Sequence, residues 1–163
     1  MALLTSFTNK LNLSIKYFCV LLFIVMIVSS FGQVVSRYIF EYSLSWSEEL
    51  ARYAAIWLTF MGATVALKEK ALAYVEALIN MLPKKIFRWV GLFVNALNLA
   101  FCGMMLVYGC ELVGKTVGQT SPALTAPMVL IYSAAPVSGM LMIIYIIEFL
   151  IIDYFGNNPQ MEA

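Results

Sequence analysis

Residues 43–70 read SLSWSEELARYAAIWLTFMGATVALKEK. Glu48, Glu49 and Arg52 crowd its start, an uncharged apolar run follows, and Lys68, Glu69 and Lys70 close it. A helix needs about 20 mostly apolar residues to cross a bilayer, so the run from about residue 50 to 67 reads as a membrane span with polar ends. Ser45 stands three residues before Glu48, the spacing of a capping box in which each side chain satisfies a backbone donor of the other. Negative charge also suits a helix N-terminus. Arg52 lies four residues after Glu48 and three after Glu49, so one helical face lets it reach either carboxylate. Trp46 and Tyr53 suit the aromatic belt at a membrane surface.

Working outward, three further apolar runs qualify as spans, at about residues 15–36, 89–113 and 126–152. They are continuous rather than alternating, and too few for a barrel, so the fold class is an all-α integral membrane protein with four transmembrane helices. The composition agrees. Of 163 residues, 63% are hydrophobic and 12% charged, against about 25% charged in a soluble domain. No repeat or low-complexity linker divides the chain, and we read residues 1–163 as one domain. Lys10 and Lys16 precede the first run, but it continues through VVSRYIF (34–40), long for a cleaved signal, and we expect a retained span. Lys10 and Lys16 in the N-terminal tail, and Lys68, Lys70, Lys84, Lys85 and Arg88 between spans two and three, outnumber Arg37, Arg52 and Lys115 on the other side. The positive-inside rule then puts both termini in the cytoplasm and the short loops around Trp46 and Lys115 outside.

The stretch EKALAYVEALINMLPKK (69–85) separates a stripe of Glu69, Ala73, Glu76, Ala77 and Asn80 from Leu72, Val75, Leu78, Ile79 and Leu82. That pattern predicts a cytoplasmic-side amphipathic helix over about residues 71–82, ended by Pro83 and seated among membrane lipids. In span three, Asn95 and Asn98 are expected to bond neighbouring helices, and Ala96 with Ala100, like Gly62 with Ala66, permits close helix packing. Pro127 fits a first helical turn. Pro136 lies inside span four and should kink it, since it has no N–H for the carbonyl of Tyr132.

What the chain lacks narrows its function. It has no histidine, and its three cysteines form no CxxC, which removes imidazole metal sites and the usual catalytic triads. Its net charge of +1 points to no nucleic acid. The span centres carry no Asp, Glu, Lys or Arg, and charges sit at the edges, at Arg37, Glu48, Glu49, Arg52, Glu111, Glu148 and Asp153. A proton-coupled carrier needs an ionisable group at depth, and a small multidrug exporter needs an embedded acid that span one lacks. A quinone-linked thiol oxidase needs exposed cysteine pairs. The chain therefore reads as a non-enzymatic scaffold within a larger membrane assembly.

The segments SRYIF (36–40), LSWSEELARYAAIWLTFMGATVALKEK (44–70) and YVEALINMLP (74–83) resemble the small membrane subunit of tripartite ATP-independent periplasmic (TRAP) transporters. The family's Trp-x-Glu-Glu-Leu-x-Arg-Tyr core and following Phe-x-Gly-Ala correspond to Trp46, Glu48, Glu49, Leu50, Arg52, Tyr53, Phe60, Gly62 and Ala63, and its later Pro, Tyr, Pro pattern to Pro127, Tyr132 and Pro136. The acid of the family's cytoplasmic helix matches Glu76, but Leu72 stands where the family often has histidine, so no role of that histidine carries over. The resemblance implies a bacterial inner-membrane protein, a large multi-span permease subunit as partner, and a periplasmic substrate-binding protein. It implies sodium-coupled uptake of organic acids such as sialic acid or a dicarboxylate. Sodium would bind the partner, with no cofactor in this chain, which would brace the large subunit as a static scaffold. Arg37, Trp46, Glu48, Glu49, Arg52, Glu76 and Pro136 are then the candidate interface or structural residues, one of the two acids being left over for a partner. A scaffold or assembly subunit of another membrane complex is the alternative.

Overall fold

A computed structural model describes residues 2–42, 44–69 and 84–155. The expected amphipathic helix at 71–82, with Leu72 and Glu76, lies outside the described residues. Among the described residues five helices are present: α1 (Ala2–Ile39), α2 (Ser45–Lys68), α3 (Lys84–Lys115), the short α4 (Met128–Tyr132) and α5 (Ala134–Phe155). Four stretches are long and apolar enough to cross a membrane: Thr5–Ile39, Ser45–Lys68, Gly91–Lys115 and Met128–Ile151. Among the described residues the only extended pairing is an isolated bridge between Thr120 and Pro127. The protein is an all-α, multi-span membrane bundle.

Each expected span forms, and the helices run past the apolar limits. α1 starts thirteen residues before the expected Ile15, because polar residues such as Thr8 and Asn12 find buried positions against the bundle. The helices pair as two hairpins. α1 packs along α2, α3 packs along α5, and α2 against α5 joins the two. The α1–α2 turn is closed by the Ser36 carbonyl, which accepts the amides of Phe40 and Tyr42, while the Ser36 hydroxyl donates to the Tyr42 carbonyl at 2.8 Å. Ile15, Met61 and Tyr145 form one core where α1, α2 and α5 meet, and Cys102, Met142 and Ile146 form a second between α3 and α5.

Span four breaks, as its proline predicts, but the break falls at Ser133, one turn before Pro136. The proline has no N–H for the carbonyl of residue 132, so the interruption falls one turn ahead of the ring, while Ser133 keeps helical dihedrals and its bonds to Val129 and Val137. The neighbouring Leu130 carbonyl accepts the indole N–H of Trp57 at 3.0 Å and the hydroxyl of Ser133 at 2.8 Å, which satisfies backbone polarity where water is scarce. Pro136 is buried against Gly109: a Cβ placed on Gly109 would lie 2.8 Å from its Cδ. Gly139 similarly meets the Cys102 carbonyl, at 3.3 Å. These two glycines, rather than Gly62, permit the close α3–α5 approach, since nothing lies within 4 Å of a Cβ on Gly62. The side chains of Asn95 and Asn98 are half-buried, and among the described residues they make no hydrogen bond to a neighbouring helix.

Candidate partner-facing and structural sites

The two acids of the SEELAR stretch part company. Glu49 turns inward on the 116–127 loop, where its carboxylate accepts the Ser121 hydroxyl, the Leu124 amide at 3.0 Å and the Ala123 amide at 3.2 Å. Charged acceptors make such bonds stronger than neutral ones. The same loop is closed by Ser121 N–H to the Ala126 carbonyl and Met128 N–H to the Gln119 carbonyl, with Gly118 at φ 87 and Thr125 at φ 50 supplying the left-handed turns. Glu48 faces outward, paired with Arg52 at 3.0 Å and within 3.4 Å of the Gln33 amide nitrogen. That pair is solvent-facing and adds little stability.

The expected capping box does not form. Leu44 holds the cap position, Ser45 is already the first helical residue, and no side chain caps the end. Glu48 is drawn to Arg52 and Gln33, and Ser47 donates instead to the Ser29 carbonyl of α1, at 2.7 Å and fully buried. Of the two acids, Glu49 is committed to the loop, and Glu48 faces outward in an exposed pair with Arg52. Trp46 and Arg37 are exposed beside this end of the bundle, and Pro136 is buried between α3 and α5. The structure therefore brings Trp46, Glu48, Glu49 and Arg52 to one end with Arg37, and places Pro136 elsewhere.

The other end holds a group of residues that the sequence did not reveal as a site. Glu148 is 1% exposed and its Oε2 pairs with the Lys68 ammonium at 2.5 Å. Its Oε1 accepts the Thr8 hydroxyl at 2.8 Å, and Lys68 also donates to Thr8 Oγ1 at 3.2 Å. The ammonium lies 5.3 Å from the ring centre of Tyr145 and 5.6 Å from that of Phe149, within cation–π range. One residue on, Glu69 pairs with Lys16 of α1. Lys68 and Glu148 had counted as edge charges, and packing buries them. The available signal was Glu148 itself, an acid flanked on both sides by apolar residues in MLMIIYIIEFLII (140–152).

Among the described residues no three potential metal ligands converge. The polar groups of the two ends join elements of a four-span membrane bundle to one another. Residues 26–155 match the family described as "Tripartite ATP-independent periplasmic transporters, DctQ component", and the chain belongs to that family. A TRAP transporter small permease protein of Haemophilus influenzae is 27% identical over 94% of this chain and 95% of its own length. The sialic acid TRAP transporter permease protein SiaT of Haemophilus influenzae is 26% identical over 87% of this chain, the match covering 23% of that longer protein. The isethionate TRAP transporter permease protein DctMQ of Oleidesulfovibrio alaskensis is 30% identical over 63% of this chain and 16% of its own length. The protein is thus a TRAP transporter small permease subunit, a multi-pass component of the bacterial inner membrane and not an enzyme.

Proposed function

We propose that this chain braces a large permease subunit as a static scaffold in sodium-coupled uptake of an organic acid. The observation that carries this reading is the use of its polar groups within the chain: Lys68, Glu148, Thr8 and Trp57 bond between helices, and Glu49 bonds the 116–127 loop. Such a bundle resists internal rearrangement, and the buried ionisable pair among the described residues, Lys68 with Glu148, is spent on itself rather than offered to a moving substrate or ion. Substrate and sodium are then the business of the large subunit, and a periplasmic binding protein delivers the substrate. In this reading both termini face the cytoplasm, and the 116–127 loop with Glu48 and Arg52 faces the periplasm. The names of relatives given to sialic acid, isethionate and C4-dicarboxylate transport support an organic anion as substrate class. The small matched share of SiaT and DctMQ is consistent with a large permease portion working beside a segment like this one. Extraction of the tagged chain in mild detergent, followed by mass spectrometry, tests the reading. A stoichiometric multi-span permease is the expected companion, and a chain that purifies alone or with an unrelated complex would overturn the proposal.

A further inference from the structure

The chain is built as two hairpins, α1–α2 and α3–α4–α5, and at the end opposite the Glu49 loop each presents one charge to the other. Lys68 closes the first hairpin and Glu148 sits in the last helix of the second. Among the described residues neither has a charged partner within its own hairpin at this position: Lys68 reaches Glu148, and Glu148 reaches Lys68 and Thr8. An undocked hairpin would hold a lone ammonium or a lone carboxylate among apolar neighbours, which is costly. Docking satisfies both, and the ammonium gains the Tyr145 and Phe149 rings, which α5 also supplies.

We propose that Lys68 and Glu148, with Thr8, form a keyed joint that selects the docked arrangement of the two hairpins. A rotation of α5 by one residue, about 100°, or a slide by one turn, about 5.4 Å, would strand both charges, so the pair discriminates among packings that apolar contacts alone would tolerate. The pairing, and not either charge for its own sake, carries the role. The joint is independent of any partner subunit, because every group in it belongs to this chain.

Native Cys19 offers a reporter, since it packs on the Ile15, Met61 and Tyr145 core that forms only when the hairpins meet. In the full chain carrying Cys102→Ala and Cys110→Ala, maleimide labelling of Cys19 in mild detergent is compared across Lys68→Met, Glu148→Met and the double replacement. Each single variant leaves a buried charge alone and should label about a hundredfold faster, or fail to accumulate as a monodisperse chain. The double variant should accumulate and label within about threefold of the parent, since an apolar pair of similar volume replaces a buried ion pair at little cost. Single variants that label at the parental rate would overturn the joint. So would a double variant as open as the singles, because the charges would then be needed for something other than each other.

Discussion

The α3–α5 contact makes a quantitative claim at Gly109. A Cβ there would lie 2.8 Å from Pro136 Cδ, 3.0 Å from its nitrogen and 3.3 Å from its Cβ. Carbon atoms rest at about 3.5–4.0 Å, so the helices must separate by roughly 0.7 Å or more. The proline ring is closed on its own backbone and cannot swing aside. Overpacking of this kind costs about 1–3 kcal/mol, and the helix preference of alanine over glycine returns about 1 kcal/mol. Gly109→Ala should therefore destabilise the bundle by up to about 2 kcal/mol. Gly62→Ala is the matched control: nothing lies within 4 Å of its added methyl, so only the helix preference acts and it should stabilise. The two variants should differ by the overpacking cost alone, about 1–3 kcal/mol, or roughly 2–12 °C in melting temperature followed by tryptophan fluorescence in detergent. Pro136→Ala removes Cδ, and the cost of Gly109→Ala should fall by about 1 kcal/mol in that background, a coupling read from the double-mutant cycle. Equal melting of the Gly109 and Gly62 variants, or additivity with Pro136→Ala, would refute the close approach.

Two further outcomes follow from the polar groups. Glu49→Gln or Ser121→Ala should loosen the 116–127 loop, seen as faster amide exchange at Ala123 and Leu124, whereas Glu48→Gln should leave those amides unchanged because Glu48 bonds Arg52 and Gln33 instead. Equal exchange in the Glu48 and Glu49 variants would contradict the division of labour between the two acids. The Tyr145 hydroxyl is buried and has no hydrogen-bond partner among the described residues, so Tyr145→Phe should raise stability by about 1 kcal/mol while keeping the ring beside Lys68. A clear loss of stability in thermal unfolding would mean that the hydroxyl is satisfied after all.

The four spans were legible because lipid demands long apolar runs, and the break in the fourth because a proline cannot complete a helix. Which polar residues meet was less legible. Spacing within α2 allowed Arg52 to reach either acid, and it correctly offered Glu48. It could not show that Glu49 would serve a loop more than seventy residues away, because that contact depends on how α2 and α3 are placed. The capping box failed for a related reason: Glu48 is held by Arg52 one turn on in α2 and by Gln33 of α1 instead of turning back to the helix start. Lys68 and Glu148 each looked like an edge charge in its own span, and only the packing of α1, α2 and α5 makes them a buried pair. Gly109 has Met105 and Val113 four residues away and so gave no small-xxx-small signal, while Gly139 pairs with Ala135 at that spacing but is met by the Cys102 backbone rather than by a matching small residue.

The heights of the polar links explain how a bundle with so little polarity holds its shape. Ser47 meets Ser29 and Lys68 meets Thr8, so twenty-one residues separate the two contacts on α1 and on α2 alike. At 1.5 Å per residue that is about 32 Å, close to the roughly 30 Å hydrocarbon thickness. The charged links, Glu49 to the loop and Lys68 to Glu148, thus fall near the two boundaries, where charge is least costly. Trp57 lies about midway along α2, and its bond to Leu130 is neutral, directed at a carbonyl beside the interruption in span four. Three links at three heights join one hairpin to the other. A single link would leave α5 free to pivot about it, and two would still allow rotation about the line between them. Three separated links, backed by the core around Ile15, Met61 and Tyr145, oppose both motions, which is the mechanical property that bracing a moving neighbour requires.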